Sequence, residues 1–224
     1  MLRKDEKVIK LPRLGLLVPT MDSTLLKIME EAGELARAVL KLQDNFSLDS
    51  VNNEDTQLVA VAEELLDVAQ TCVTMIFVLE DTYGIGPGEM VDIHLEKLQK
   101  KGYSFDPDIL YYVQSNGHYK FLNLPRLDIP QITLLKTVCK IQEEIGELTQ
   151  ILGKNAGKSG ERLVEYDTNK LLKNSALELL DIAQCCFTML YILEEEYNMD
   201  INGILFKHLE KLKTKGYYSE VSSQ

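Results

Sequence analysis

The stretch EELLDVAQTC, Glu63 to Cys72, decides the fold, because it returns 114 residues later as LELLDIAQCC, Leu177 to Cys186. Both copies place a glutamate three residues before an aspartate inside an otherwise apolar run. Residues three apart are neighbours on a helix surface, so each copy predicts a buried helix that carries two adjacent carboxylates. A block that recurs at a fixed offset indicates an internal repeat.

Other blocks extend the repeat in both directions along the chain. Three pairs recur in the same order at an offset of 113 or 114: LPRL (Leu11–Leu14 and Leu124–Leu127), KIMEEAGEL with KIQEEIGEL (Lys27–Leu35 and Lys140–Leu148), and HLEKLQKKGY with HLEKLKTKGY (His94–Tyr103 and His208–Tyr217). We therefore predict a tandem duplication, with a first helical module at 1–103, a linker at 104–123 and a second module at 124–224.

Each module is predicted to contain three helices, which makes the fold all-α. The helices are expected at about Met21–Gln43, Asp55–Tyr83 and Pro87–Gly102, then Thr133–Leu152, Thr168–Tyr197 and Ile201–Lys215. The first has an apolar stripe at helical spacing, whereas the second is apolar nearly all round and should lie centrally. Together the modules are expected to form an intramolecular, pseudo-dimeric helical bundle.

The linker differs in composition from the modules. Leu110–Leu122 reads LYYVQSNGHYKFL, and Asn-Gly between β-branched and aromatic residues predicts a short β-hairpin. Its tyrosines are expected to pack on the helices, since a hairpin alone is marginal. A platform for base stacking is the functional alternative.

The charge balance excludes some partners. A formal net charge of −11 argues against duplex nucleic acid, whose phosphates require clustered cations. Ser175–Leu193 is long enough to resemble a membrane span, but Glu178 and Asp181 lie inside it, so we interpret it as a buried helix and expect no membrane association.

The cysteines and the N-terminus bear on the compartment. The four cysteines form no CxxC pair, and we interpret them as reduced core thiols of a cytoplasmic protein. The charged N-terminus lacks the apolar segment of a signal peptide.

The acidic residues carry the chemistry. From Leu58 to Leu79 the only charged residues are Glu63, Glu64 and Asp67. An unpaired charge in an apolar environment costs on the order of several kcal/mol, and no lysine or arginine on this helix offsets these. A divalent cation held between ExxE on the first helix and ExxD on the second would compensate them. Carboxylates solvated at the surface, or paired with lysines, are the simpler alternative.

Oxygen donors select the metal. Carboxylates with water suit Mg²⁺, with Mn²⁺ as the alternative. No Glu-x-x-His motif of a di-iron bundle is present, and the histidines are expected to lie away from the acidic pairs.

The third helices add candidate cations. Lys97 and Lys101, and their counterparts Lys211 and Lys215, are one turn apart and are candidates for binding substrate phosphates. Ordinary surface lysines on an amphipathic helix are the equal alternative. The histidines that open these blocks are expected to have packing or supporting roles.

These motifs resemble the MazG-like, all-α nucleotide pyrophosphohydrolase superfamily, whose signature is EExxE followed by ExxD. Here it stands as EEAGE with ELLD and as EEIGE with ELLD. The resemblance implies eight metal ligands: Glu31, Glu34, Glu64, Asp67, Glu144, Glu147, Glu178 and Asp181. It also implies hydrolysis of a nucleoside triphosphate to the monophosphate and pyrophosphate, and Glu30 and Glu143 are candidates for positioning the attacking water.

Relatives with one module usually assemble as dimers or tetramers. The two modules of this chain are therefore expected to form a pseudo-dimer, which leaves room for a further homodimer. The rival function is a non-catalytic helical nucleotide sensor or interaction scaffold with a structural metal site.

Overall fold

Six helices organise the part of the chain that the computed structural model describes, which is residues 7–46, 54–155 and 167–218. They are α1 (Met21–Phe46), α2 (Glu54–Tyr83), α3 (Val91–Lys100), α4 (Leu134–Asn155), α5 (Thr168–Glu195) and α6 (Ile201–Thr214). A short 3-10 helix, Pro87–Met90, leads into α3. The three helices predicted for each half are thereby confirmed.

The two central helices form the core of the bundle. α1 packs along α2 and α4 along α5, while α2 packs on α5 and α1 on α4. Every residue from 71 to 79 of α2 is buried, as its all-round apolar pattern predicts. α5 is long and apolar enough to cross a membrane, but 89% of its most apolar stretch is buried inside the structure. It is a core helix.

A small antiparallel sheet joins the two halves. β2 (Tyr112–Ser115) and β3 (Tyr119–Asn123) form the predicted hairpin, which is confirmed. Gly117 in its turn has a φ of 87°, a conformation that favours glycine. β3 also pairs with an N-terminal strand, β1 (Val8–Pro12), so the strand order is β1-β3-β2. The repeat analysis does not predict β1.

The hairpin aromatics pack rather than form an open platform. Tyr111 is buried, and its ring meets Phe105 edge-on with centroids 5.6 Å apart. Tyr119 meets Tyr218 in the same way at 5.9 Å. These contacts favour the packing interpretation of the linker tyrosines.

Buried amides explain why LPRL recurs together with the ELLD blocks. The Nε2 of Gln70 donates a hydrogen bond of 2.9 Å to the carbonyl of Pro12, and Gln184 donates one of 2.8 Å to the carbonyl of Pro125. Each hydrogen bond connects the segment that contains an LPRL block to a central helix. The two motifs therefore recur together because they contact each other in the structure.

The third helices lie across the halves. α3 packs on α5, and α6 packs on α2. Gly84, at a φ of 70°, accepts the left-handed turn that ends α2 and redirects the chain toward α3. The predicted module boundaries at Tyr103 and Leu124 stay predictions.

The cysteine interpretation needs one correction. All four cysteines are free thiols; Cys72 and Cys186 are buried and Cys185 is half-buried, but Cys139 is exposed. The description of all four as core residues is therefore wrong for Cys139, which lies on the outer face of the amphipathic α4.

Candidate metal centre

Three glutamates from two helices converge in the first half. α1 contributes Glu31 and Glu34, one turn apart, and α2 contributes Glu64. Each offers a carboxylate oxygen, and these oxygens lie within 4.8 Å of one another. We call this set the first acidic group. Glu31 is buried and the other two are half-buried.

The second half holds the equivalent set. α4 contributes Glu144 and Glu147, α5 contributes Glu178, and their carboxylate oxygens again lie within 4.8 Å of one another. We call this the second acidic group. Among the residues that the structure describes, the buried Oε2 atoms of Glu144 and Glu178 have no hydrogen-bond partner, which is costly for a carboxylate.

Burial and mutual repulsion disfavour the charged form of these carboxylates. Burial is the main cause that raises the pKa of Glu178 to about 7; the positive charge of Lys97 opposes this rise, and the charges of Asp181, Glu147 and Glu144 add to it. Burial likewise raises the pKa of Glu64, and the charges of Glu34, Asp67 and Glu31 add to the rise. A cation between these groups would relieve both effects.

In each acidic group, one glutamate forms an ion pair with a lysine that the sequence analysis did not single out. Lys27 Nζ lies 2.6 Å from an oxygen of Glu31, and Lys140 Nζ lies 2.6 Å from one of Glu144. Even so, burial raises the pKa of Glu31 above its ordinary value, and Lys27 only partly offsets that rise. The i, i+4 spacing of lysine and glutamate was the available signal.

The two aspartates lie beside the acidic groups and contact the opposite half. Lys97 of α3 donates a hydrogen bond to Asp181 of α5. Lys211 of α6 donates one of 2.5 Å to Asp67 of α2. Burial alone would raise the pKa of Asp181, but contacts with His94 and Lys97 lower it below its usual value.

The expectation that the histidines lie away from the acidic pairs is wrong for two of them. His94 is fully buried, and its Nδ1 lies 3.0 Å from Asp181 Oδ1. Within the described residues, neither ring nitrogen of His94 makes a hydrogen bond of normal geometry. His208 Nδ1 lies 3.5 Å from Asp67 Oδ1. Burial lowers the pKa of His208 to about 4, so this imidazole is neutral at pH 7.

The remaining candidate residues lie at the edge of these sites. Glu30 and Glu143 are exposed, and each pairs with the lysine three residues before it, Lys27 at 3.1 Å and Lys140 at 3.0 Å. The last candidate cations, Lys101 and Lys215, are exposed residues that cap the C-terminal ends of α3 and α6.

The donor set fits a hard divalent cation. Within the described residues, both groups whose atoms converge closely enough to hold a metal ion consist of carboxylates alone. Oxygen donors suit Mg²⁺ or Mn²⁺ better than iron or zinc. Buried carboxylate oxygens without partners give such an ion a place at the second group.

Comparison with known protein families gives a match in the first half of the chain. Residues 19–102 match the family described as MazG nucleotide pyrophosphohydrolase domain. The match contains α1, α2 and α3, and with them the whole first acidic group. No curated protein and no solved structure matches this chain.

Proposed function

Because residues 19–102 match the family described as MazG nucleotide pyrophosphohydrolase domain, we propose that the chain is a Mg²⁺-dependent enzyme that hydrolyses a nucleoside triphosphate to the monophosphate and pyrophosphate. The observation that carries the proposal is the convergence of three glutamates in each half, with buried oxygens that lack partners in the second. Mn²⁺ has the same ligand preference and is the alternative ion.

The reaction breaks one phosphoanhydride bond. Water attacks the α-phosphorus, the bond from that phosphorus to the bridging oxygen breaks, and pyrophosphate leaves with the electron pair. The metal, when bound, supplies neutralisation of phosphate charge and lowers the pKa of water. The chain's glutamates hold the ion and keep the phosphates in place.

Polar residues at the edge of each site complete the proposal. Glu30 and Glu143 precede a metal-binding glutamate by one residue and face solvent, where they can orient the attacking water. Asp67 and Asp181 stand beside the groups as further metal ligands. Lys97, Lys101, Lys211 and Lys215 supply positive charge for the phosphates of the substrate.

We also propose that the two halves are duplicated modules related as a pseudo-dimer. Residues 113 apart are equivalent in the repeat, and Ile9 of β1 lies opposite its own counterpart, Leu122 of β3. An antiparallel pair of equivalent strands has a local two-fold relation at that point, which supports the proposal. The four free thiols agree with a reducing, cytoplasmic location.

A substrate panel tests the function. Each of the common dNTPs and NTPs is incubated with the protein and Mg²⁺, and pyrophosphate release is measured beside a reaction that contains EDTA. We expect release from at least one nucleotide, only with the metal, and no orthophosphate as the first product.

The rival function predicts a different result. A nucleotide sensor or scaffold with a structural metal site would release no pyrophosphate from any nucleotide, yet its melting temperature would still rise with Mg²⁺. Loss of ligands would be expected in a non-catalytic copy, whereas all four motif carboxylates stand in both halves. That retention is the observation that favours catalysis.

A further inference from the structure

The third helix of each half reaches the acidic group of the other half. α3 precedes the linker in the chain, but its buried residues Val91, His94 and Leu98 lie on a helix that packs on α5. α6 packs on α2 in the same manner, with Ile204, His208 and Leu212 among its buried residues. The sequence repeat places HLEK in both helices, so both crossings use the same residue types.

The third helices bring charged side chains, as well as packing contacts, to the opposite half. Among the described residues, the basic side chains in contact with Asp181 are Lys97 and the imidazole of His94, and those in contact with Asp67 are Lys211 and the neutral imidazole of His208. Lys97 is 30% exposed at its side chain, and Lys211 is 38% exposed. Each lysine is therefore held in place at one side and accessible to a ligand at the other.

The electrostatic neighbours of the lysines agree with the contacts. Burial opposes protonation of Lys97, but its hydrogen bond to Asp181 and the charges of Glu178 and Glu144 raise its pKa. For Lys211, Asp67 and Glu64 have the same effect. Lys97 therefore interacts with the carboxylates around the second acidic group, and Lys211 with those around the first. Each lysine comes from the half of the chain that does not contain the group.

We infer that the two sites are composite: the third helix of each half supplies the phosphate-binding lysine of the opposite half's site. This inference rests on the proposed function. Without substrate the lysine neutralises the aspartate, and with substrate it turns to the terminal phosphates while the metal takes over the carboxylate charge. Lysine binds phosphate as a compact point charge, which suits this exchange. His94 and His208 lie against the aspartates on their buried side.

Binding measurements on chains with one intact group test the inference. The double variant Glu31→Gln, Glu34→Gln leaves only the second group, and Glu144→Gln, Glu147→Gln leaves only the first. Lys97→Met and Lys211→Met are each added to both chains, so that each lysine is tested against the group of the other half and against the group of its own half. Methionine keeps most of the aliphatic stem that packs and removes only the charge. Titration calorimetry then measures Mn²⁺ alone, and inorganic tripolyphosphate in the presence of Mn²⁺.

The inference requires the two ligands to respond in opposite directions. Removal of a positive charge beside the carboxylates should tighten Mn²⁺ binding a few fold, while tripolyphosphate binding should weaken by about tenfold or more. Lys97→Arg and Lys211→Arg should restore most of the tripolyphosphate affinity. The matched controls, Lys100→Met on α3 and Lys213→Met on α6, remove exposed lysines of the same helices and should change neither affinity.

Three results would overturn the inference. They are an effect of each lysine on the group of its own half, a parallel loss of both affinities, and the absence of tripolyphosphate binding in both parents. Failure of the proposed function is separate, because a chain that hydrolyses no nucleotide can still bind tripolyphosphate in the crossed pattern.

Discussion

The two acidic groups contain the same residue types, but they differ in burial. In the second half, Glu144 is 2% exposed and Asp181 5%, whereas in the first half Glu31 is 7% exposed and Asp67 is only half-buried. Equivalent sequence motifs thus stand in environments of different polarity. The difference teaches that repeated motifs specify which groups meet, while the surrounding packing sets the cost of their charges.

The aspartates show the same difference. Contacts with His94 and Lys97 lower the pKa of Asp181 although it is buried, and His94 Nδ1 lies 3.0 Å from its Oδ1. On the other side, His208 lies 3.5 Å from Asp67. The second site is therefore the more buried of the two at its first glutamate and its aspartate, although Glu147 is exposed where its counterpart Glu34 is half-buried. We expect it to depend more strongly on its partners and on pH.

The largest expected effect concerns catalysis. Glu64→Gln combined with Glu178→Gln removes one proposed ligand from each group and should lower pyrophosphate release at least about a thousandfold, because the metal that neutralises the phosphates is lost. Each single variant should keep the turnover of the other group. Comparison of the two single variants with the parent therefore measures how turnover divides between the groups.

Glu63→Gln provides the control for this loss. Glu63 is exposed and adjacent to Glu64, but it lies outside the first acidic group. Its replacement should leave turnover near that of the parent, and circular dichroism should show native helix content in every variant. Substantial turnover in the double variant would contradict the assignment of the ligands.

An intermediate effect concerns stability. Asp181→Asn leaves Lys97 half-buried without its carboxylate and should lower the free energy of unfolding by about 2 kcal/mol. Asp67→Asn should cost about 1 kcal/mol, because Asp67 and Lys211 are more exposed and better solvated. Urea denaturation without metal measures both values. Equal losses would remove the distinction between a more buried and a more exposed aspartate.

The smallest expected effect is a pH dependence. The folded protein holds the pKa of Glu178 at about 7, above its ordinary value of 4.5, so between these values the folded state binds more protons than the unfolded chain. The resulting stabilisation is fully present below about pH 4.5 and is lost as the pH rises through about 7. Because part of the side chain faces solvent, we expect a loss of less than about 1 kcal/mol.

Two comparisons isolate this contribution. Glu178→Gln should flatten the metal-free stability profile between pH 5 and pH 8, and Glu64→Gln should flatten it less. In the parent, stabilisation by Mg²⁺ should grow as the pH rises through 7, because the ion binds the ionised carboxylate. A stability that rises with pH over this range in the metal-free parent, and that Glu178→Gln leaves unchanged, would contradict the assigned shift.

Much of the architecture follows from local sequence patterns. The apolar stripe of α1 and the all-round apolar pattern of α2 predict helices whose observed bounds lie within a few residues. The hairpin follows from Asn116-Gly117, because few dipeptides adopt that turn easily. The strand β1 could not be predicted in this way, because its five residues gain their hydrogen bonds only from β3, more than a hundred residues away.

The sequence by itself determined which carboxylates are neighbours on the same helix. The i, i+3 spacing places Glu31 beside Glu34 on one turn of the helix, independently of how the helix packs in the tertiary structure. The repeat then states that the same arrangement occurs twice.

Only the tertiary structure decided which half completes each site and how deeply each site is buried. Whether α3 meets α2 or α5 depends on the direction in which the chain leaves Gly84 and on which helix covers its apolar side. Both are properties of packing between residues far apart in sequence. For that reason Lys97 could be recognised as a candidate cation from its spacing, but its aspartate in the other half, Asp181, could not.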